Sequence, residues 1–171
     1  MFQSELLIDD LCTQGFHIID NFLELEIYQG LYELAQIKQN QGLFRPAKIG
    51  RDMTSQMNDK IRADEIYWIN EHVYPPVLES YITKMELLAN ILNQSLFLGI
   101  REFETHFATY QPETFYKKHC DQFATNKRRK ISCVYYLNPY WQVEFGGELK
   151  LYQVEGQLLH TVYPLGNRLI C

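Results

Sequence analysis

A chain of 171 residues with 46% hydrophobic and 14% aromatic content carries enough apolar surface for one substantial core, which excludes a disordered polymer. Its net charge of −5 excludes the global basic field that non-specific nucleic-acid binding needs, so no nucleic-acid partner is expected. No apolar run approaches the ~20 residues that span a bilayer, so no membrane partner is expected either.

In chain order, Leu6-Leu7-Ile8 reads as a short helix and Gly15-Phe16-His17-Ile18-Ile19-Asp20 as a break followed by a short strand. Asn21 is placed to cap a helix over 23–38, with Ile27, Tyr28, Leu31, Leu34 and Ala35 as its apolar stripe. The polar, Gly-containing stretch 39–60 reads as loop, and Ile61 to Ile69 as an extended segment. Pro75-Pro76 opens a long helix to about Leu96, because a proline at a helix start gives up only an N–H that would be unpaired anyway. Leu78, Tyr81, Ile82, Met85, Leu88, Ile91 and Leu92 recur at helical spacing on its buried side.

After residue 97 the pattern turns strand-like. Glu102, Glu104, His106, Ala108 and Tyr110 alternate with Phe103, Thr105, Phe107 and Thr109. Further strands are expected over 114–121, 131–138, 147–154, 157–163 and 167–171. Helices followed by a run of strands predict one α+β domain over 1–171, with helical support to about 96 and a β core from about 97. The basic run Lys127 to Lys130 reads first as a solvated loop between strands. Cys12, Cys120, Cys133 and Cys171 make no C-x-x-C pair, and Met1 to Glu5 lack the basic and apolar regions of a signal peptide. Both features point to reduced thiols and a cytoplasmic location.

The chemistry-bearing stretch is His119-Cys120-Asp121. On a strand, residues i and i+2 share a face, so an imidazole and a carboxylate converge on one point, two parts of a 2-His-1-carboxylate iron site. Cys120 would then point to the opposite face and be buried. Five histidines in 171 residues make such a pair a chance event in roughly one chain in five, so the pair acquires meaning only from its surroundings. Two other metal readings stay open: the same-face pair Glu104 and His106, and His160, the one histidine after Asp121.

Those surroundings are Ala108-Thr109-Tyr110, Phe115 to Phe123, Arg129 to Asn138, Trp141, Gly146-Gly147-Glu148-Leu149-Lys150-Leu151 and Pro164 to Ile170, with a fainter match over Ile61-Arg62-Ala63-Asp64, Trp68 and the Gly15 to Asp20 strand. In this order they resemble the prolyl-hydroxylase-like branch of the iron(II)/2-oxoglutarate-dependent dioxygenases. The resemblance implies a double-stranded β-helix, a jelly-roll-like core backed by the N-terminal helices. It implies oxidative decarboxylation of 2-oxoglutarate to succinate and CO₂, coupled to hydroxylation of a prolyl side chain in a protein or peptide. Fe(II), 2-oxoglutarate and O₂ would be its small molecules, with ascorbate as an optional addition. His119 and Asp121 would hold the metal, Tyr110 and Tyr136 would line the cosubstrate pocket, and Leu149 would form its apolar wall.

In the family, a distal histidine ligand and a basic anchor for the far carboxylate of 2-oxoglutarate follow about a strand beyond Arg168-Leu169-Ile170-Cys171. On that pattern His160 and Arg168 come too early to be those residues, and the β core reads as C-terminally truncated. Two origins fit, a fragment of an active enzyme or a natural short form with weakened or lost catalysis, acting as a binding module or left as a remnant. Either predicts an open sheet edge that favours self-association.

Overall fold

The computed structural model of the protein describes residues 3–47, 62–69, 74–120 and 129–171. Helix α1 (Ser4–Thr13) buries Leu7, and β1 (Ile18–Asp20) follows after a turn. Helix α2 (Leu25–Asn40) begins after Glu24, not at Asn21. Asn21 instead takes a left-handed φ of 52°, which asparagine tolerates better than most residues. The reason lies in the next two residues: Phe22 and Leu23 are drawn into the core before the helix starts, so the chain needs a turn where a cap was expected.

A short strand β2 (Arg45–Pro46) lies inside the stretch read as loop, and β3 (Glu65–Trp68) occupies the expected extended segment. Helix α3 (Pro76–Leu96) has Pro75 at its N-cap and buries Leu78, Met85, Leu88 and Leu92, with Tyr81, Ile82 and Ile91 partly buried beside them. The strands β4 (His106–Thr109), β5 (Val134–Tyr136), β6 (Leu149–Tyr152), β7 (Leu158–Val162) and β8 (Arg168–Ile170) complete the order, with a 3-10 turn over Val143–Phe145. Each is shorter than its apolar alternation suggests.

Among the described residues the result is a mixed α+β architecture with three small antiparallel sheets: β1-β8-β5, β2-β3-β4 and the β6-β7 hairpin. Strands from the helical half thus pair with strands from the β half. Ile19 lies opposite Leu169 and Tyr67 opposite Phe107. The main core joins Leu7, Phe22, Tyr28 and Leu31 to Leu78, Leu88, Leu92, Phe107 and Leu169. A fully buried leucine such as Leu88 contributes about 2 kcal/mol of transfer free energy. A second, smaller cluster is built on Phe16, Val162 and Ile170, with Ile18, Tyr136, Leu149 and Leu151 packed against it.

Two residues seat the last strand. At Gly166 a side chain would collide with the Asn138 carbonyl oxygen and the Tyr28 hydroxyl, so only glycine lets the backbone pass. Tyr28 donates to that Asn138 oxygen at 3.0 Å, tying α2 to the loop after β5. Asn167 is 6% exposed and adopts φ 60°. Its Oδ1 accepts from the Leu23 N–H at 2.9 Å and from the Tyr135 hydroxyl at 2.8 Å, while its Nδ2 donates to the Leu23 carbonyl at 2.8 Å.

Two expectations are corrected. The strand expected over 114–121 is, among the described residues, a single bridge between Arg62 and Tyr116, because Tyr116 spends its cross-strand contact there and the chain bends at once. Cys120, expected buried, is exposed, since it follows that bend in irregular chain and does not lie on a strand. The last strand, β8, is the central strand of its sheet between β1 and β5. No described helix is long and apolar enough to cross a membrane.

Candidate functional site

Tyr110, Tyr136 and Leu149 are delivered by the ends of three strands. Tyr110 follows β4, Tyr136 is the last residue of β5, and Leu149 is the first of β6. Tyr136 and Leu149 pack on the same small cluster. Leu149 is held by the turn before it: the Trp141 indole N–H donates to the Gly146 carbonyl at 2.7 Å, and its ring stacks on Tyr163. Gly146 accepts the φ of 64° that this reversal needs.

Both phenols hold their protons firmly. Tyr136 is pushed up to about 12, by loss of solvent, with nearby Arg168 pulling the other way. Tyr110 leaves 49% of its surface exposed. Its phenol is also pushed up to about 12, first by loss of solvent, then by the Asp64 carboxylate, with smaller contributions from Tyr116 and Tyr136. The two phenols therefore share one electrostatic neighbourhood and stay neutral donors throughout the ordinary pH range.

The carboxylate that acts on Tyr110 is almost wholly buried. Asp64 is 2% exposed and receives two hydrogen bonds from Arg62, Nε to Oδ1 at 2.6 Å and Nη2 to Oδ2 at 2.8 Å. This fork is the strong, geometry-fixing form of an ion pair. The Arg62 guanidinium in turn lies over the Tyr116 ring at 4.7 Å, and Tyr116 stacks on the His119 imidazole at 3.8 Å between centroids and 18° between planes. A continuous run thus leads from Asp64 through Arg62 and Tyr116 to His119. Reading the chain as Ile61-Arg62-Ala63-Asp64 gave these residues no role. The signal was present, since Arg and Asp at i and i+2 of an extended segment share a face.

His119 is exposed, and its Nδ1 is 2.7 Å from the Lys117 carbonyl oxygen. That oxygen only accepts, so Nδ1 carries the hydrogen and the neutral ring keeps its lone pair on Nε2. A backbone carbonyl behind one ring nitrogen is the usual support of a histidine that ligates metal through the other. The imidazole therefore fits an iron site. Asp121 lies outside the described residues, as do Lys127 and Arg128 of the basic run. Arg129 bonds Glu104 at 2.9 Å.

The alternative metal residues are scattered. His106 lies tilted against the Trp68 ring, 4.6 Å between centroids, and its pKa falls below the ordinary imidazole value through loss of solvent and then the Arg62 charge. Its proposed partner Glu104 is engaged by Arg129. His160 stands on β7 against Phe16, opposite Leu151. Among the described residues no three His, Cys, Asp or Glu side chains gather where they could hold a metal. Arg168, like Arg62, is already committed: it forks onto Asp20 at 2.6 and 2.9 Å.

Residues 105–171 match the family model of the 2OG-Fe(II) oxygenase superfamily. The chain is 32% identical to a Pseudomonas putida prolyl-4-hydroxylase of known crystal structure, with a TM-score of 0.86 over 99% of this chain and 86% of that one. It is 26% identical to the prolyl hydroxylase EGLN3 of Homo sapiens and of Rattus norvegicus, across 97% of this chain and 71% of each relative. A prolyl hydroxylase from Trichoplax adhaerens, solved with a peptide fragment of the hypoxia inducible factor oxygen degradation domain, shares the fold at TM-score 0.79 and 24% identity, over 98% of this chain and 76% of that one.

Proposed function

The chain belongs to the 2OG-Fe(II) oxygenase superfamily, among its prolyl hydroxylase-like members, and on that premise we propose that it hydroxylates a prolyl side chain of a protein or peptide. Its β half is read as a double-stranded β-helix with the site at one mouth. His119 and Asp121 would hold Fe(II), Tyr110 and Tyr136 would receive a carboxylate of 2-oxoglutarate, and Leu149 would wall the pocket. Bound there, Fe(II) and 2-oxoglutarate supply activation of O₂, with succinate and CO₂ released as the C–H bond becomes C–OH. Ascorbate belongs to this reading only as an auxiliary reductant.

The residues themselves bind and orient. A neutral phenol donates to a carboxylate, and beside an apolar wall such a charge-assisted bond is stronger than in water. Lys117 fixes the His119 tautomer, and Tyr116 sets the plane of the ring. The observation that carries the reading is the convergence of Tyr136 and Leu149 on one cluster. The peptide seen on the Trichoplax relative supports a peptide as the substrate class.

The test is Fe(II)-dependent succinate production from 2-oxoglutarate by the 171-residue chain. Turnover is expected in the native chain and its loss in His119→Ala and Asp121→Ala. Turnover that survives Asp121→Ala sinks the assigned metal site. Absence of 2-oxoglutarate-dependent heat with Mn(II) as a redox-silent stand-in sinks the cosubstrate site and favours a non-catalytic binding module.

A further inference from the structure

Cys133 and Cys171 face each other across β5 and β8. The register that sets Val134 opposite Ile170 places them as partners one residue further on. Cys171 exchanges both backbone hydrogen bonds with His17 on the β1 side, each at 3.0 Å. Its pairing with Cys133 on the β5 side is therefore a non-hydrogen-bonded position, where opposed Cα atoms come to ~4.5 Å and side chains lie closest. That separation falls within the span a disulfide requires. The two Sγ atoms are in contact at 2.8 Å, and both thiols lie partly buried against the main core. Cys12 and Cys120 are exposed.

We propose that Cys133 and Cys171 are an oxidation site, a cross-strand dithiol that a two-electron oxidant of the hydroperoxide class closes into a disulfide between β5 and β8. Cys171 holds its proton, because the Cys133 sulfur shares its hydrogen and burial adds to the effect, raising the pKa well above the ordinary thiol value. Cys133 is therefore the sulfur that attacks hydrogen peroxide. The O–O bond breaks, one oxygen leaves as water, and Cys133 becomes a sulfenic acid. The Cys171 sulfur then attacks that sulfur, the S–S bond forms, and the second oxygen leaves as water. Two thiols and one peroxide give one disulfide and two waters, with two electrons passing from sulfur to oxygen.

The bond would close a loop that contains Tyr136, Leu149 and the whole β6-β7 hairpin. It would fix the base of the segment that carries most of the proposed cosubstrate wall. The inference needs no iron, so its failure and the failure of the proposed reaction are separate results.

The experiment exposes the full reduced chain to equimolar hydrogen peroxide with EDTA present, then traps free thiols by alkylation and maps peptides without reduction. One intramolecular Cys133–Cys171 link is expected, with loss of two of the four thiols. The thermal midpoint should rise by about 5–10 °C and return on reduction. Cys171→Ser should show neither the link nor the rise. Oxidation of Cys12 or Cys120 while Cys133 and Cys171 stay reduced would overturn the proposal. So would a link that forms no faster in the native chain than in urea.

Discussion

A phenol that is to donate to a carboxylate must keep its proton, and burial does this for Tyr136. The folded value of about 12 stands above the ordinary 10.0, so the group is neutral throughout the ordinary pH range. Tyr136→Phe removes one hydrogen bond to a charged group, and affinity for 2-oxoglutarate should fall about tenfold in calorimetry with Mn(II). The pH signature has a definite sign. Because the folded pKa is raised, Tyr136 adds no tyrosinate absorbance until the pH nears 12, and stability is lost as pH climbs from 10 toward 12. The near-ultraviolet titration of Tyr136→Phe below pH 11 should therefore overlay that of the native chain. A missing tyrosinate step near pH 10 in the variant would place the Tyr136 hydroxyl in solvent and remove it from the pocket. Tyr136 and Leu149, singled out in the sequence because each sits in an ordered run of family-like words, pack on one cluster. The Asp64–Arg62–Tyr116–His119 run was not legible there, because it closes through a single bridge between residues 54 apart in the chain, which periodicity does not encode.

At the scale of elements, helices were legible and strands less so, for one physical reason. A helix of 21 residues such as α3 satisfies its backbone internally and shows its buried face every three or four residues. A strand of three or four residues such as β5 or β4 exists only where a partner lies, so alternation over 131–138 marks apolar content and not the length of pairing. Asparagine shows the same limit. Asn21 and Asn167 both occupy left-handed positions, and only tertiary contact tells a turn from a cap. Asn167 is the stronger case, since its side chain satisfies both backbone groups of Leu23 and the Tyr135 hydroxyl. Asn167→Ala leaves those buried groups unpaired and puts alanine at φ 60°. It should cost roughly 3 kcal/mol or more in urea denaturation, mostly from the unpaired groups. A loss under about 1 kcal/mol would mean that water replaces the side chain and that the β1-β8-β5 sheet is not anchored there.

At the scale of the whole molecule, the sequence divides near residue 97 into a helical part and a strand part, and the pairing overrides that division. β1 and β3 come from the first part, yet their partners β8 and β4 come from the second. The main core likewise takes Leu31 and Leu88 from helices and Phe107 and Leu169 from strands. Neither part can bury its apolar face alone, so the chain should unfold as one cooperative unit. A Trp68→Phe chain leaves Trp141, beside the β6-β7 hairpin, as the one tryptophan reporter, while far-ultraviolet dichroism reports α2 and α3. Their urea transitions should coincide in midpoint and slope. Residues 97–171 expressed alone should give no cooperative transition, because β8 would lose β1 and Leu169 would lose the helices that cover it. If the dichroism transition instead preceded that of Trp141, the strand part would be a separate folding unit. The tyrosines and Leu149 would then be positioned without the help of Phe16 and Ile18, whose packing against Ile170 is what now joins the amino-terminal strand to the site.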